Sequence, residues 1–279
     1  MTKYAVIGWP VEHSVSPQMQ NAGLQALGVD ATYEKLAVAP EALRETFQQK
    51  LRHEYAGWNI TVPHKQDVLP LLDNIEPTAA RIGSVNTVVN RDGCLTGFST
   101  DGYGLAMALK ESFGLGVQGR RFVFIGAGGA ARATAAYFAR EGASAIGIIN
   151  RTSAKAEAIA SLAHQMSSQC EAHSCNPEHE VLVKALLAEA DAVIQATSLG
   201  LRAGDAMPLN PEWLPEGVPL YDMIYRKTPF LKTAEQRGCP VADGAGMLLH
   251  QGARSLEMWT GRDAPVEAMR TALMQALAG

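Results

Sequence analysis

A glycine-rich turn between an apolar strand and an alanine-rich helix most limits what this chain of 279 residues can fold into. Residues 121–125 (RFVFI) predict a buried strand, and the GAGGAAR that follows matches G-x-G-x-x-G/A at Gly126, Gly128 and Ala131. Such glycines permit a tight bend and let a pyrophosphate approach the backbone, while the helix N-terminus favours phosphate. A strand–helix turn without a ligand is the alternative, but the strand–turn–helix order favours dinucleotide binding.

Strand-like and helix-like segments alternate along the chain, which is typical of parallel sheets covered by helices. We therefore predict an α/β fold with an N-terminal α/β substrate domain and a Rossmann-like, doubly wound dinucleotide-binding domain. The substrate domain is expected at 1–101, completed by C-terminal helices within 239–279, and the dinucleotide domain at 102–238. The helical pattern of residues 102–113 places the boundary inside a helix. We expect a ligand-binding cleft between two domains joined in this way.

The apolar pattern and the breakers predict individual elements. The predicted strands are 3–8, 32–38, 57–62, 85–90, 94–98, 121–125, 145–149, 191–196 and 218–223. The predicted helices are 16–28, 40–54, 102–113, 129–140, 153–165, 246–260 and 265–277. Ser16 is predicted to cap the first helix, with Pro17 at its first position and Gly28 as its C-terminal stop.

Composition argues against several classes of protein. The formal net charge of −4 argues against the basic surface that binds nucleic acid. No stretch approaches the roughly 18 consecutive apolar residues of a membrane span, and MTKYAVIGWP at the start predicts a strand rather than a signal peptide. Four scattered cysteines give no disulfide framework. We expect a cytoplasmic protein without nucleic-acid or membrane partners.

The end of the strand at 145–149 distinguishes between two forms of the dinucleotide. An NAD site usually has an acidic residue about 20 positions beyond the glycines, which binds the ribose 2′-hydroxyl. Here the strand ends in Asn150-Arg151-Thr152, without an acid. Because a guanidinium can bind a 2′-phosphate bidentately, NADP is predicted over NAD. A solvated loop arginine is the alternative interpretation.

The segment GWNITVPHK (57–65) joins a strand pattern to two side chains that carry protons. Alternating residues would face opposite sides of a half-buried strand, Ile60 and Val62 on one side and Asn59 and Thr61 on the other. Pro63 has no N–H to donate and would end the ladder. His64 and Lys65 follow directly.

Short polar side chains occupy other predicted strand ends and helix starts of the first domain. Ser14 and Ser16 place two hydroxyls at a helix start, where a carboxylate can bind. Asn86 and Asp101 add an amide and a carboxylate. Each has a structural alternative, Ser16 as a cap and the other two as turn or cap residues.

Together these motifs resemble the shikimate dehydrogenase family, in the right order and over essentially the whole chain. The resemblance rests on SVSP (14–17), NITVPHK (59–65), SVNT (84–87), TDG (100–102), GAGGAAR (126–132), NRT (150–152) and GAGMLLHQGA (244–253). It implies an NADP-dependent enzyme that reversibly reduces 3-dehydroshikimate to shikimate in chorismate and aromatic amino-acid biosynthesis. Such an enzyme would act as a monomer or a homodimer.

The resemblance also implies a role for each matching residue. Lys65 and Asp101 would form the catalytic acid–base pair. The substrate would be bound by Ser14, Ser16, Asn59, Thr61, Asn86, Asp101, Tyr225 and Gln251. The cofactor would be bound by Gly126, Ala127, Gly128, Gly129, Ala130, Asn150, Arg151, Thr152, Thr197, Met223, Gly244 and Met247. No metal is expected.

The chemistry of a ketone reduction explains the need for a lysine. Negative charge develops on the ketone oxygen, and an ammonium such as that of Lys65 can stabilise this charge and donate the proton. Asp101 nearby would orient the ammonium and favour its charged form. His64 is the rival because histidine titrates near neutrality, but we expect its ring to brace the turn. The alternative for Lys65 is a surface lysine after a strand.

Several positions depart from the usual family pattern. Gln20 stands in place of a histidine, and Ser99 in place of an asparagine. Residues 195–198 read QATS, with Gln195 and Ser198 where the family usually has the asparagine and the proline of NATP. After Tyr225 the usual Asn-Pro is missing, and Arg226 follows instead. A quinate/shikimate dehydrogenase that uses NAD or NADP therefore stays open. So does a non-catalytic homologue that senses ligand and nucleotide, although it would be expected to lose Lys65 or Asp101.

A group of soft metal ligands lies between positions 164 and 179, namely His164, Cys170, His173, Cys175 and His179. Zinc would require four of them in tetrahedral geometry, and no Cys-x-x-Cys spacing is present. We therefore predict that residues 167–180 form a surface strand and loop of the dinucleotide domain rather than a metal site.

Overall fold

The computed structural model describes residues 1–278, which divide into two compact units. Unit 1 comprises Met1–Gly104 and Leu248–Gly279, and unit 2 comprises Leu105–Met247. The domain limits predicted from the sequence, 1–101 with 239–279 and 102–238, stay a prediction. Within residues 1–278, no helix has both the length and the apolar composition needed to cross a membrane.

Strands and helices have the following bounds. The strands are β1 (Thr2–Gly8), β2 (Ala31–Ala37), β3 (Gly57–Ile60), β4 (Asn74–Ile75), β5 (Thr87–Arg91), β6 (Cys94–Phe98), β7 (Arg121–Ile125), β8 (Ala145–Ile149), β9 (Glu171–Cys175), β10 (Ala192–Gln195), β11 (Leu220–Asp222) and β12 (Val241–Ala242). The α-helices are α1 (Ser16–Ala26), α2 (Leu43–Thr46), α3 (Arg52–Glu54), α4 (Pro77–Ile82), α5 (Asp101–Phe113), α6 (Gly129–Arg140), α7 (Ser153–Met166), α8 (Glu180–Ala188), α9 (Pro229–Gln236), α10 (Ala245–Thr260) and α11 (Val266–Ala278). A 3₁₀ turn at Pro40–Ala42 precedes α2, and a π-helical turn at Phe47–Leu51 joins α2 to α3. Residues 40–54 therefore form one helical segment.

The elements predicted from apolar periodicity are present, with small shifts at their ends. The surface strand expected between positions 167 and 180 is β9. The elements β4, β12, α4, α8 and α9 were not predicted. Both missed strands have two residues, too few for a period to be visible. A signal for α9 is present in the sequence, because Thr228 caps it and Pro229 lies in its first turn.

Unit 1 is built on a mixed six-stranded sheet with the order β2-β1-β3-β5-β6-β4. β1 is parallel to β2 and β3, whereas β5 is antiparallel to β3 and β6. The side chains of β1 alternate between two apolar clusters, Ala5 and Ile7 in one and Tyr4 and Val6 in the other. Segment 40–54 packs into the first cluster, and α1, α10 and α11 pack into the second. Both faces of the sheet are therefore covered.

The prediction of a half-buried strand at 57–62 is wrong in its end and in its burial. β3 ends at Ile60, and all four of its residues are buried because it lies in the middle of a sheet covered on both sides. Val62, which was expected to share a face with Ile60, lies beyond the strand and is 65% exposed. A central strand can be buried on both faces, and the alternation of apolar and polar residues does not indicate this burial.

The prediction that Ser16 caps α1 is also wrong. Ser16 is already the first helical residue, with Val15 at the cap position and Pro17 following. The hydroxyl that accepts a backbone N–H is that of Ser14, whose Oγ lies 3.3 Å from the nitrogen of Ser16. The predicted stop is confirmed, because the helix ends at Ala26 and Gly28 has a φ of +64°.

Unit 2 contains a parallel six-stranded sheet with the order β12-β11-β10-β7-β8-β9. The chain proceeds outward from β7 to β9 and then returns to the centre at β10, beside β7. This reversal is the topological switch point of a doubly wound dinucleotide-binding sheet. Phe122 and Phe124 pack into one apolar cluster and Val123 and Ile125 into another, so β7 is buried on both faces. The predicted α/β fold class is confirmed.

Candidate active site

The predicted substrate and catalytic residues of unit 1 lie near one edge of its sheet. Because β5 is antiparallel to both β3 and β6, its amino end lies at the same edge as their carboxyl ends. Lys65 follows β3, Asn86 precedes β5 and Asp101 follows β6. Ser14 and Ser16 follow β1, whose carboxyl end lies beside that of β3. The topology thus gathers residues that are widely separated in the sequence.

Lys65 and Asp101 form an ion pair at this edge, although they are 36 positions apart in the sequence. The Nζ of Lys65 lies 2.5 Å from the Oδ2 of Asp101, and the two side chains are 20% and 6% exposed. Asp101 is the first residue of α5, where the helix dipole stabilises a carboxylate. The pair combines an ammonium that is partly exposed with a carboxylate that is almost enclosed.

Asn86 holds the carboxylate from its other side. Its Nδ2 donates to the Oδ1 of Asp101 at 2.8 Å and to the Oγ1 of Thr100 at 2.9 Å, while its Oδ1 accepts the N–H of Thr100 at 2.7 Å. The Oε1 of Gln251, on α10, lies 3.3 Å from the same Nδ2. The N–H of Val85 donates to the carbonyl oxygen of Lys65, which ties the two segments together. Lys65, Asn86, Asp101 and Gln251 therefore form one hydrogen-bonded group.

Asn59 lies in a buried polar network behind this group. Its Oδ1 accepts from the hydroxyl of Tyr33 at 2.8 Å, and its Nδ2 lies 2.9 Å from the Oγ of Ser255 and 3.1 Å from the Oγ1 of Thr87. Burial raises the pKa of Tyr33 well above its usual range, so that hydroxyl stays protonated and donates. Both ends of the Asn59 amide are thus used by protein groups. Its predicted contact with substrate stays a prediction.

Thr61 and His64 shape the chain between β3 and Lys65. The Cγ2 of Thr61 lies so close to Gly8 that a Cβ at Gly8 would approach it to 2.4 Å, so the close packing of β1 requires glycine. His64 is fully buried, and its Nε2 lies 2.6 Å from the carbonyl oxygen of Val38. This contact fixes the turn on which Lys65 lies, as expected of a bracing ring.

A cavity of about 650 Å³ opens in unit 2 at the switch point between β7 and β10. We call it the switch-point cavity. Of the predicted cofactor residues, it is lined by Gly126, Ala127, Gly128, Asn150, Arg151, Thr152 and Thr197. Its lining does not include Gly129, Ala130, Met223, Gly244 or Met247, although these lie in the same unit. It does include several residues that sequence reasoning missed, among them Lys155, Pro177, Leu199, Met207 and Pro208.

The glycine turn at this cavity fits the pyrophosphate of a dinucleotide. Gly126 has a φ of +109°, and a Cβ there would lie 2.7 Å from Thr197, so only glycine suits the position. A Cβ at Gly129 would meet nothing within 4 Å. No side chain caps α6, whose N-terminus follows directly. Its first N–H groups therefore suit an anion in the open space beside them.

The cations of the switch-point cavity fit a phosphorylated ribose. Arg151 and Lys155 line the cavity, and no carboxylate does. Arg151 is exposed, and its backbone is held by Asn176, whose Nδ2 donates to its carbonyl oxygen at 3.1 Å. The Nδ2 of Asn150 donates to the carbonyl oxygen of Thr152 at 3.0 Å. Lys155 could have been identified from the sequence, because it lies in the first turn of the helix that follows Asn-Arg-Thr.

The turn after β11 carries two other predicted residues. Met223 lies against Gly244, where a Cβ would approach the Met223 carbonyl oxygen to 2.2 Å. Tyr225 lies in unit 2, outside the hydrogen-bonded group of unit 1, and is 40% exposed. The turn is held by Asp222, which accepts from the N–H of Ile224 at 3.0 Å and the hydroxyl of Thr228 at 2.7 Å. Burial raises the pKa of Asp222 to about 6.

The cysteines and histidines between positions 164 and 179 are not gathered into a metal site in the described structure. Among residues 1–278, no group of three or more His, Cys, Asp or Glu side chains is arranged to hold a metal ion. Cys170 and Cys175 flank and end β9, and both are buried. Burial raises the pKa of Cys170 to about 11, which keeps its thiol protonated.

Comparison with known proteins is consistent with this geometry. Family models match the shikimate dehydrogenase substrate binding domain at residues 6–88, shikimate / quinate 5-dehydrogenase at 108–201 and the shikimate 5′-dehydrogenase C-terminal domain at 244–274. A shikimate dehydrogenase (NADP⁺) from Symbiobacterium thermophilum is 40% identical over 98% of this chain and 94% of its own length. The chain belongs to the shikimate dehydrogenase family. The resemblance found in the sequence is confirmed.

Solved structures of shikimate dehydrogenases share the fold. The enzyme from Listeria monocytogenes, in complex with shikimate and NAD, has a TM-score of 0.91 and 34% identity, covering 98% of this chain and 96% of its own. The enzyme from Thermus thermophilus, in complex with NADP(H) and shikimate, has a TM-score of 0.87 and 36% identity, covering 99% and 100%.

Proposed function

We propose that this chain is an NADP-dependent shikimate dehydrogenase, which reversibly reduces 3-dehydroshikimate to shikimate in chorismate and aromatic amino-acid biosynthesis. The observation that carries the proposal is the Lys65–Asp101 pair, 2.5 Å apart and held by Asn86. A homologue that only senses ligands has no need of a proton donor fixed in this way. We propose that the enzyme acts in the cytoplasm, as a monomer or a homodimer.

The roles proposed for the unit 1 residues follow from their chemistry. The ammonium of Lys65 would stabilise negative charge on the ketone oxygen and donate the proton, and Asp101 would orient it. Asn86 would keep the carboxylate in place. In the oxidation direction, the same pair would take up the proton of the alcohol. Ser14 and Ser16 would bind the substrate carboxylate at the start of α1, and the ring oxygens would be bound by Asn59, Thr61, Asn86, Tyr225 and Gln251.

The switch-point cavity is proposed as the NADP site. The cofactor supplies or accepts the hydride when bound. The backbone of Gly126, Ala127, Gly128, Gly129 and Ala130 would bind its pyrophosphate. Arg151, flanked by Asn150 and Thr152, would bind the 2′-phosphate, and Lys155 would add a second cation. Thr197, Met223, Gly244 and Met247 would contact the remainder. The substrate domain would comprise residues 1–101 and 239–279, and the NADP domain residues 102–238.

A panel of initial rates tests the proposal. Purified protein is assayed at 340 nm with shikimate and with quinate, each with NADP⁺ and with NAD⁺. We expect the highest kcat/KM for shikimate with NADP⁺. Faster oxidation of quinate with NAD⁺ would assign the chain to the quinate-specific alternative. No reduction of either cofactor with either substrate, despite binding of both in calorimetry, would favour the sensing alternative.

A further inference from the structure

We propose that Gln195, Asp205 and Arg226, which do not line the switch-point cavity, fix the loop that forms one of its walls and thereby set cofactor affinity. The wall loop comprises residues 197–208. Its two ends line the cavity through Thr197, Ser198, Leu199, Ala206, Met207 and Pro208. The inference rests on the proposed function, because it takes the occupant of the cavity to be NADP. The three side chains are positioning residues, which act through the wall loop.

The wall loop has little regular structure of its own. It follows β10 directly, and neither a strand nor a helix lies between Gln195 and the 3₁₀ turn at Pro211–Trp213. Gly200 and Gly204 have φ angles of +106° and +87°, which glycine adopts readily but at a large entropic cost on ordering. Its conformation must therefore depend on hydrogen bonds from side chains.

Asp205 joins the two ends of the wall loop. Its Oδ2 accepts the N–H groups of Gly200 and Arg202, each at 2.9 Å. These two hydrogen bonds are the main reason why the pKa of Asp205 is lowered below its ordinary value. Leu199, immediately before the closed ring, and Ala206, immediately after it, both line the cavity. The carboxylate therefore fixes the spacing between the two lining segments.

Gln195 fastens the wall loop to β10, and Arg226 fastens it to the turn after β11. The guanidinium of Arg226 donates to the carbonyl oxygen of Gly200 at 2.7 Å and also to that of Leu201. The buried amide of Gln195 donates to the carbonyl oxygen of Leu199 at 3.1 Å and accepts the N–H of Thr197 at 2.5 Å. The two side chains therefore have the same task.

The consequence is that an unrestrained wall loop would have to be ordered by the cofactor itself. Ordering a loop on binding reduces the net affinity, whereas a preformed wall avoids that cost. Substitutions of Asp205 and Arg226 should therefore weaken NADP⁺ binding without touching the ligand. They should leave shikimate binding unchanged, because the residues proposed to bind it are held within unit 1, apart from Tyr225.

Calorimetric titration of the intact protein with NADP⁺ tests this. We expect Asp205→Ala and Arg226→Ala each to raise the Kd about tenfold, equivalent to the loss of one or two hydrogen bonds. Asp205→Asn keeps an acceptor oxygen and should have a smaller effect. Asp263→Ala removes an exposed carboxylate from unit 1 and serves as the matched control. The Kd of shikimate is measured for every variant and should change less than twofold.

Limited trypsin digestion gives a second readout that does not depend on turnover. Arg202 lies within the wall loop and is exposed, so the rate of cleavage after it reports the order of the loop. We expect faster cleavage in Asp205→Ala and in Arg226→Ala, wild-type rates in Asp263→Ala, and protection by NADP⁺ in all of them. Faster cleavage with an unchanged Kd for NADP⁺ would overturn the inference, as would equal weakening of shikimate and NADP⁺ binding. Failure of the wild-type protein to bind NADP⁺ would overturn the proposed function and this inference with it.

Discussion

In unit 1, side chains hold Lys65 and Asp101 in place, whereas in unit 2 the backbone forms much of the switch-point cavity. Asp101 is enclosed by bonds from Lys65 and Asn86. The cavity, by contrast, is made from a glycine turn, an uncapped helix N-terminus and exposed cations. Substitutions in the two sites should therefore have different effects. Substitutions in the first should change the chemical step or the stability of the unit, and those in the second should change affinity for the cofactor.

The largest effect is expected for Lys65→Ala. Loss of the proton donor should lower kcat by about 10²–10⁴, equivalent to about 3–5 kcal/mol of barrier. The Kd of NADP⁺ should stay within twofold, since Lys65 lies in unit 1 and the switch-point cavity in unit 2. Initial rates at 340 nm and calorimetry measure the two quantities. Lys110→Ala, which removes an exposed lysine, is the control. A fall in kcat of less than tenfold would contradict the proposed role.

Asn59→Ala should mainly destabilise the protein. The substitution leaves Tyr33, Thr87 and Ser255 with buried groups that lose a partner, so the free energy of unfolding should fall by about 2–4 kcal/mol. Urea denaturation measures the change, and Gln25→Ala, which removes an exposed amide from α1, is a control. If stability is unchanged and only the KM for shikimate rises, Asn59 acts as a direct substrate contact instead.

Arg151→Gln tests whether substitutions in the switch-point cavity change the affinity for the cofactor. Removing the guanidinium should raise the Kd of NADP⁺ about 10- to 100-fold, because a hydrogen-bonded charge contributes about 1.5–3 kcal/mol. The Kd of NAD⁺, which lacks the 2′-phosphate, should hardly change. Calorimetric titration with both nucleotides measures the difference. Equal weakening of the two would show that Arg151 does not read the 2′-phosphate.

The smallest effect concerns the pH dependence of stability through Asp222. Its folded-state pKa of about 6 lies above the ordinary value of 3.8, so the folded state binds the proton more tightly than the unfolded state. Its contribution to stability is therefore complete below pH 3.8 and lost as the pH rises through 6. Between pH 7 and pH 5, wild type should gain about 1 kcal/mol relative to Asp222→Asn. Urea denaturation of both proteins at pH 5, 6 and 7 checks this, and a constant difference would refute it.

The features that the sequence predicted well are either local or were implied by the family resemblance. The turn at Gly126 is recognisable because strand, glycines and helix are contiguous. The pairing of Lys65 with Asp101 was implied by the resemblance to the shikimate dehydrogenase family, and the structure brings the two side chains together.

The features that were missed depend on distant partners. The amide of Asn59 is held by Ser255, 196 positions away, and no local pattern reveals that contact. The burial of β3 likewise depends on its central place in the sheet. The wall loop was unpredictable because its shape depends on Asp205 and Arg226, which lie on either side of β11.

The second apolar cluster of unit 1 has a consequence for how the chain matures. Tyr4, in the first strand, stacks on Trp259 with ring centroids 4.9 Å apart, and the cluster also contains Met269 and Leu273 of the last helix. One face of the N-terminal sheet, which α1 covers in part, therefore lacks the rest of its cover until α10 and α11 have been synthesised. All residues of unit 2 are made before that moment. The part of the molecule that leaves the ribosome first thus cannot complete this apolar cluster until the last helices have been made.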